Sequence, residues 1–195
     1  MPLYTTAYLK QLASNNTSTI QNRILTESRK IHTEFDIFLC HRFSDKDIIR
    51  GIYYELTKQG FSVYVDWIID PQLDRNNVTK ASAELVRTRL KASKSLLFAI
   101  SDNVQMSRWM PWELGYVDGN TNLCAIFPVS ENDMTQYTFK RAEYLLLYPY
   151  IKRAEIERYS PELYVTESAN NYVSFRNWVR NHERPAYKYQ NIDVL

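Results

Sequence analysis

The chain has 195 residues, 45% of them hydrophobic, with 24 basic against 22 acidic side chains and a formal net charge of +2. That length can bury one sizeable core, and the mix of apolar and charged residues is globular rather than disordered. So small a net charge gives no field to collect nucleic acid or an acidic membrane, and no apolar run approaches the ~18 residues of a membrane span.

The two cysteines, Cys40 and Cys124, suit reduced thiols better than a disulfide. No basic-then-apolar leader opens the sequence, so the expected compartment is cytoplasmic. Residues 1–33 are polar and rich in Asn and Thr around Asn15 to Thr19. Tyr4 to Leu12 and Ile20 to Ile31 have helical character, with Thr17 to Thr19 as a cap. The expectation is an extension, helical or partly ordered, that lies outside the main domain. Its sharper reading is an assembly or docking element.

A regular alternation fills residues 34–182. Glu34 to Cys40 reads as a first strand. Ser44-Asp45-Lys46-Asp47 resembles a capping box and opens a helix carrying Ile48, Ile49, Ile52 and Leu56, which Gly60 ends. Phe61 to Asp66 is a second strand. Trp67 to Val78 is a long loop with Pro71 and several Asp and Asn residues. Thr79 to Ala92 is a helix with Ala83, Val86 and Leu90 on one face. Ser95 to Ser101 is a third strand, apolar on both faces as a central parallel strand should be. The helix holding Glu113 is expected to stop at Gly119-Asn120. Leu123 to Val129 is a fourth strand, Tyr144 to Tyr148 a fifth, and Ser168 to about Asn181 a last helix. Residues 183–195 read as a tail.

Strands alternating with helices imply right-handed crossovers and a parallel sheet. The expected fold class is α/β: a three-layer, flavodoxin-like sandwich around a five-stranded parallel sheet. Its ligand site lies outside the carboxyl ends of the strands, near the topological switch point. That brings together Cys40 to Ser44, Asp66 to Val78, Ser101 to Glu113, and the segment after Val129.

Several chemistries are excluded. The four glycines, Gly51, Gly60, Gly115 and Gly119, leave no Gly-rich loop in the first turn, so neither a Rossmann fingerprint nor a P-loop is present. A phosphoacceptor receiver would want Asp where Ala99-Ile100-Ser101 stands. His32, His41 and His182 lack metal-ligand spacing. Asp66, Asp70 and Asp74 do not follow an EF-hand pattern. No metal is expected.

Glu113 is different. It lies near the start of a helix, where Pro111 is tolerated and the macrodipole favours an ionised carboxylate. Trp109 precedes it by one turn. An anion beside an aromatic plate suits a planar, cationic or developing-cationic ligand. The bland alternative keeps Glu113 as a helix stabiliser and Trp109 and Trp112 as core, and the residues alone leave both open. Arg42, ahead of the first helix, suits phosphate, and Phe43 offers a stacking face; a solvated Arg and a half-buried Phe are equally consistent. Trp67 is a lid, a contact to a second copy, or a core plug. His41 reads as a polar residue at the loop edge.

As a set, three segments resemble the Toll/interleukin receptor (TIR) domain in its bacterial form: Phe35 to His41 followed by Ser44 to Asp47; Gly60 to Asp66; and Ser107 to Tyr116, with its Trp, three residues, then Glu. The match runs from about Phe35 to Trp178. It departs in having Cys40 where many members have Ser, and in a long loop after Asp66 that lacks a glycine near its tip. The resemblance implies cleavage of NAD+ at the nicotinamide–ribose bond, giving ADP-ribose, a cyclic ADP-ribose isomer or a related signal in antiphage immunity. Glu113 matches the catalytic glutamate, and Trp109, Cys40, His41, Arg42, Phe43, Asp66 and Trp67 form the expected substrate-binding set. NAD+ is then substrate, with no further cofactor. The resemblance also implies homo-oligomers through the 67–78 loop and helices, and a downstream effector sensing the product. A non-catalytic self-association scaffold and a nucleoside deoxyribosyltransferase-like enzyme are the alternatives.

Overall fold

The computed structural model describes residues 3–27, 34–73, 79–101, 107, 109–132, 143–154, 162–168 and 170–185. The expected residues 74–78 of the long loop, and 186–195 of the tail, lie outside the described residues.

The sheet is built on β2 (Phe35–Cys40), β3 (Val63–Tyr64), β4 (Ser93–Ser101), β5 (Cys124–Ser130) and β6 (Tyr150–Ala154). These five run parallel in the order β3-β2-β4-β5-β6, which is the flavodoxin-like order. β7 (Glu162–Ser168) and β8 (Asn171–Ser174) extend it antiparallel. β1 (Tyr4–Thr5) pairs with Val129 and Ser130 of β5.

Helices cover both faces. On one lie α1 (Thr6–Asn15), α3 (Lys46–Lys58) and α7 (Phe175–Asn181), over Ile37, Leu39, Leu97, Ala125 and Phe127. On the other lie α5 (Lys80–Lys91) and α6 (Trp109–Thr121), over Phe35, Phe38, Leu96, Phe98 and Ile126. β4 and β5 carry apolar side chains to both clusters, which is why they read as continuous hydrophobic runs. α2 (Thr17–Glu27) and the one-turn α4 (Asp66–Ile69) complete the described helices.

Residues 3–27 are built into this core rather than loosely attached as a partly ordered arm. Tyr4 is 1% exposed and stacks on Phe127 at 4.9 Å, and Leu9 is fully buried. α1 crosses α3 so closely that a Cβ on Gly51 would stand 2.3 Å from the Leu9 carbonyl oxygen. Glycine is required there by approach, not by φ.

Four further expectations change. Tyr144 to Tyr148 is not a strand: Glu143–Leu147 is a 3₁₀ helix exposing Leu146 and Leu147. The fifth parallel strand is β6, whose Lys152 and Arg153 disguise it; the Arg153 guanidinium lies over the Tyr8 ring at 4.3 Å. The last helix begins at Phe175, because residues 171–174 join β8. α6 runs past Gly119-Asn120 to Thr121, and Asn122 takes the left-handed conformation at φ 52°. Nor does a capping box open α3, where Asp45 makes no side-chain cap bond. The capping box present is at α5, between Thr79 and Ser82.

Candidate active site

β2 connects to β3 on one side and lies against β4 on the other, so the switch point falls between the carboxyl ends of β2 and β4. α6 packs over that point. The Cys40 thiol, at the end of β2, donates to the Met110 carbonyl of α6 at 3.8 Å. The Ser107 hydroxyl accepts the Trp109 backbone N–H at 3.1 Å and helps start the helix.

The buried positions of α6 are Trp109, Met110, Glu113, Leu114 and Val117. That i, i+1, i+4, i+5, i+8 spacing is the inner, buried face of the helix. Glu113 therefore occupies a core position, and it is 0% exposed. A stabiliser of a solvated helix end would stand on the outer face. A carboxylate at an inner position opposes the hydrophobic pattern around it, and such departures concentrate at functional sites. Trp109, one turn earlier, is 8% exposed and meets Trp112 edge-on at 5.5 Å. Trp112 continues to Tyr116 at 6.1 Å and carries the Arg87 guanidinium at 5.8 Å.

The other expected residues fall into two groups. Arg42 is half-buried and leads into the 3₁₀ turn Phe43–Asp45 ahead of α3. Phe43 is 53% exposed, but the Lys46 ammonium lies 4.0 Å from its ring centroid. Lys46 and Arg50 also approach the Trp67 ring, at 5.9 and 5.6 Å. Lys46 and Arg50 thus form a cationic corner interleaved with Phe43 and Trp67, with Arg42 next to Phe43 in sequence. The sequence pointed only to Arg42; the helical spacing of Lys46 and Arg50 was the signal for the others.

His41 and Asp66 are turned inward, 6% and 4% exposed. The His41 Nδ1 bonds the Leu39 carbonyl at 2.7 Å. Its Nε2 lies 3.2 Å from the Trp67 indole nitrogen and 3.3 Å from Asp66 Oδ1. Asp66 Oδ1 also accepts the Trp67 backbone N–H at 2.7 Å. These two side chains therefore hold Trp67 rather than face outward. A little farther on, the Asp70 carboxylate is clasped by Arg89 through two bonds of 2.8 Å and by the Tyr64 hydroxyl at 2.9 Å. That fastens the start of the loop to α5.

Tyr144, expected in a strand, sits on the 3₁₀ helix with its phenol held above its ordinary value by burial first and by the Cys40 thiol second. The two groups are thus in electrostatic range at the end of β2. Burial, with Asp118 adding to it, pushes the Cys124 thiol far up, and both cysteines are free and buried. Among the described residues, no group of three or more His, Cys, Asp or Glu could hold a metal ion, and no helix is long and apolar enough to cross a membrane.

A sheet in this strand order, closing at its switch point on a buried glutamate one turn after a tryptophan, defines a TIR-fold protein. No protein-family model matches the chain. It is 45% identical over 147 residues to the "Probable 3' cyclic ADP-D-ribose synthase ThsB'" of Bacillus cereus (strain MSX-D12), covering 75% of this chain and 76% of that protein. It is 30% identical over 109 residues to the "Putative cyclic ADP-D-ribose synthase TIR2" of Cytobacillus dafuensis, covering 55% of this chain and 26% of that protein. The chain belongs to the Thoeris-type bacterial TIR proteins.

Proposed function

We propose that the protein breaks the nicotinamide–ribose bond of NAD+ and closes the remaining ADP-ribose into a ring, as a signal in cytoplasmic antiphage defence. The observation that carries this is Glu113, a carboxylate of zero exposure on the inner face of α6 at the switch point. The names of both relatives, each a cyclic ADP-D-ribose synthase, support the same chemistry.

One carboxylate is enough. O-glycosidases need a second to protonate the leaving oxygen. Nicotinamide leaves NAD+ neutral, taking the C1′–N bonding pair, so no acid is required. Glu113 stabilises the oxocarbenium-like ribose by charge and orients its hydroxyls by hydrogen bonds. Trp109 holds the pyridinium before it departs. Arg42, with Lys46 and Arg50, holds the diphosphate. A hydroxyl of the same molecule then adds to C1′ and releases its proton to water, or an adenine ring nitrogen adds through its lone pair and the base releases a proton from its exocyclic amino group. A carboxylate this dry favours that internal nucleophile over water; water in its place would give ADP-ribose. Homo-oligomers through the 67–78 loop and helices would complete the site, and a separate effector would read the product.

The test is nicotinamide release from NAD+ by the full chain at low and high protein concentration, beside Glu113→Gln checked for folding by circular dichroism. Loss of roughly 10²–10³-fold in the folded variant is expected, with a cyclic nucleotide as the main product by chromatography. Equal release by both proteins refutes the role of Glu113. ADP-ribose as the main product refutes ring closure.

A further inference from the structure

Within that reading, we infer that His41 is a positioning residue, whose proton decides where Trp67 stands at the root of the 67–78 loop. The argument is a count of protons. The Leu39 carbonyl can only accept, so His41 Nδ1 carries a hydrogen. The Trp67 indole N–H can only donate, so it requires a bare Nε2. Asp66 Oδ1, at 3.3 Å from the same Nε2, calls for a hydrogen there. One nitrogen therefore faces two neighbours with opposite demands.

Neutral His41 accepts from Trp67 and holds the indole. Protonated His41 donates to Asp66 and can no longer accept, so the indole N–H must leave. The exchange is two-state and sits where it matters. His41 follows Cys40, which touches α6 beside Trp109, and Trp67 stands in α4, the single turn that leads from β3 into the rest of the loop. The backbone N–H of Trp67 stays on Asp66 in both states, so the side chain moves while the chain remains anchored.

Among the described residues, the surrounding charges come from four helices and the turn after β2. Asp66 approaches from α4. From α3, Lys46 and Arg50 lie over the Trp67 ring, with Arg50 paired to Asp47 at 2.9 Å. α2, packed on α4, brings Glu27 and Arg23, the latter bonded to Thr57 at 2.7 Å. α6 presents Glu113 on its inner face, and Arg42 is next in sequence. The carboxylate at Nε2 favours the proton on His41, and the cations over Trp67 oppose it.

The experiment follows the full chain from about pH 8 to pH 5, the interval in which imidazoles exchange a proton, by tryptophan fluorescence and by the KM and kcat of nicotinamide release. A one-proton fluorescence step is expected in the wild type. It should be absent from Trp67→Phe, which assigns it, and from His41→Gln. KM should rise several-fold through the same step while kcat holds. No step in the wild type, or one that survives in His41→Gln, overturns the inference. If His41→Gln does not fold, Asp66→Asn decides: losing the carboxylate should move the step acidward, and an unmoved step overturns it. A fluorescence step with no nicotinamide release at any pH supports the positioning role and refutes the NAD+ reading. Release without a step does the reverse.

Discussion

Adding one methyl group at Gly51 tests how residues 3–27 are held. The new Cβ would stand 2.3 Å from the Leu9 carbonyl oxygen, 2.9 Å from its carbon and 3.0 Å from its Cα. All three are backbone atoms, so no rotamer relieves the contact, and α1 must withdraw from α3 by roughly 1 Å to restore van der Waals spacing. Such overpacking costs about 1–3 kcal/mol. Loosening Leu9 forfeits part of the ~1.5–3 kcal/mol that its burial supplies. Alanine returns about 1 kcal/mol through its better helix propensity. The balance is a loss of about 2 kcal/mol. Urea unfolding of Gly51→Ala should show a lower midpoint, and a smaller m-value if α1 and β1 detach and leave less surface to expose. A midpoint equal to or above that of the wild type would mean helix propensity outweighs the contact, and the close crossing would be refuted.

Arg89→Met should destabilise by about 3–5 kcal/mol, because it removes the charge partner of the 4%-exposed Asp70 carboxylate and leaves it the neutral Tyr64 hydroxyl; a loss below about 1 kcal/mol by urea unfolding would show that water or another donor takes over. Burial alone would raise the Asp36 carboxyl, but the Ser62 backbone N–H, Lys94 and the Ser62 hydroxyl outweigh it and hold the group below its ordinary range. A depressed carboxyl contributes stability above its unfolded value of about 4, lost as pH falls through the folded value. Asp36→Asn should therefore flatten the stability profile below about pH 4, and an unchanged acid limb would contradict the assignment. Cys40 and Cys124 should both resist iodoacetamide in the native protein and both react in denaturant, since both thiols are shielded from the reagent; mass spectrometry showing native labelling would refute their burial.

The parallel core was legible because β4 and β5 are buried on both faces and spell that out as unbroken apolar runs. Glu113 was legible as a candidate through its neighbours Trp109 and Pro111. Its core position was not, since one glutamate near a helix start reads equally well as a dipole partner, and only the packing of α6 separates the two. β6 escaped because a strand with Lys152 and Arg153 in its centre depends on Tyr8 and Tyr4, far away in sequence, to cover Arg153, while Lys152 lies over Tyr150 of the same strand. Tyr144 to Tyr148 drew the strand assignment instead, being apolar and aromatic over a length that suits a strand or a helical turn equally. The residues expected to line the site also divided in a way that spacing could not show. Adjacent positions such as His41 and Arg42 differ in burial because, just past the end of β2, His41 turns back onto the Leu39 carbonyl while Arg42 leads into the 3₁₀ turn.

The place of β1 bears on the order in which the chain comes together. Thr6 donates to Glu131, 125 positions later, at 3.1 Å, and Tyr4 pairs with Val129. At about 5–20 residues per second, a ribosome takes roughly 6–25 s to supply that partner. Until then Tyr4 and Leu9 have no sheet edge or Phe127 to cover them, and closing so long a loop is slow. A chain begun at Glu34 would fold the remaining sheet with the Val129–Ser130 edge of β5 bare and the notch at Gly51 empty. Such an edge invites another strand, so the shortened protein should aggregate where the full chain does not.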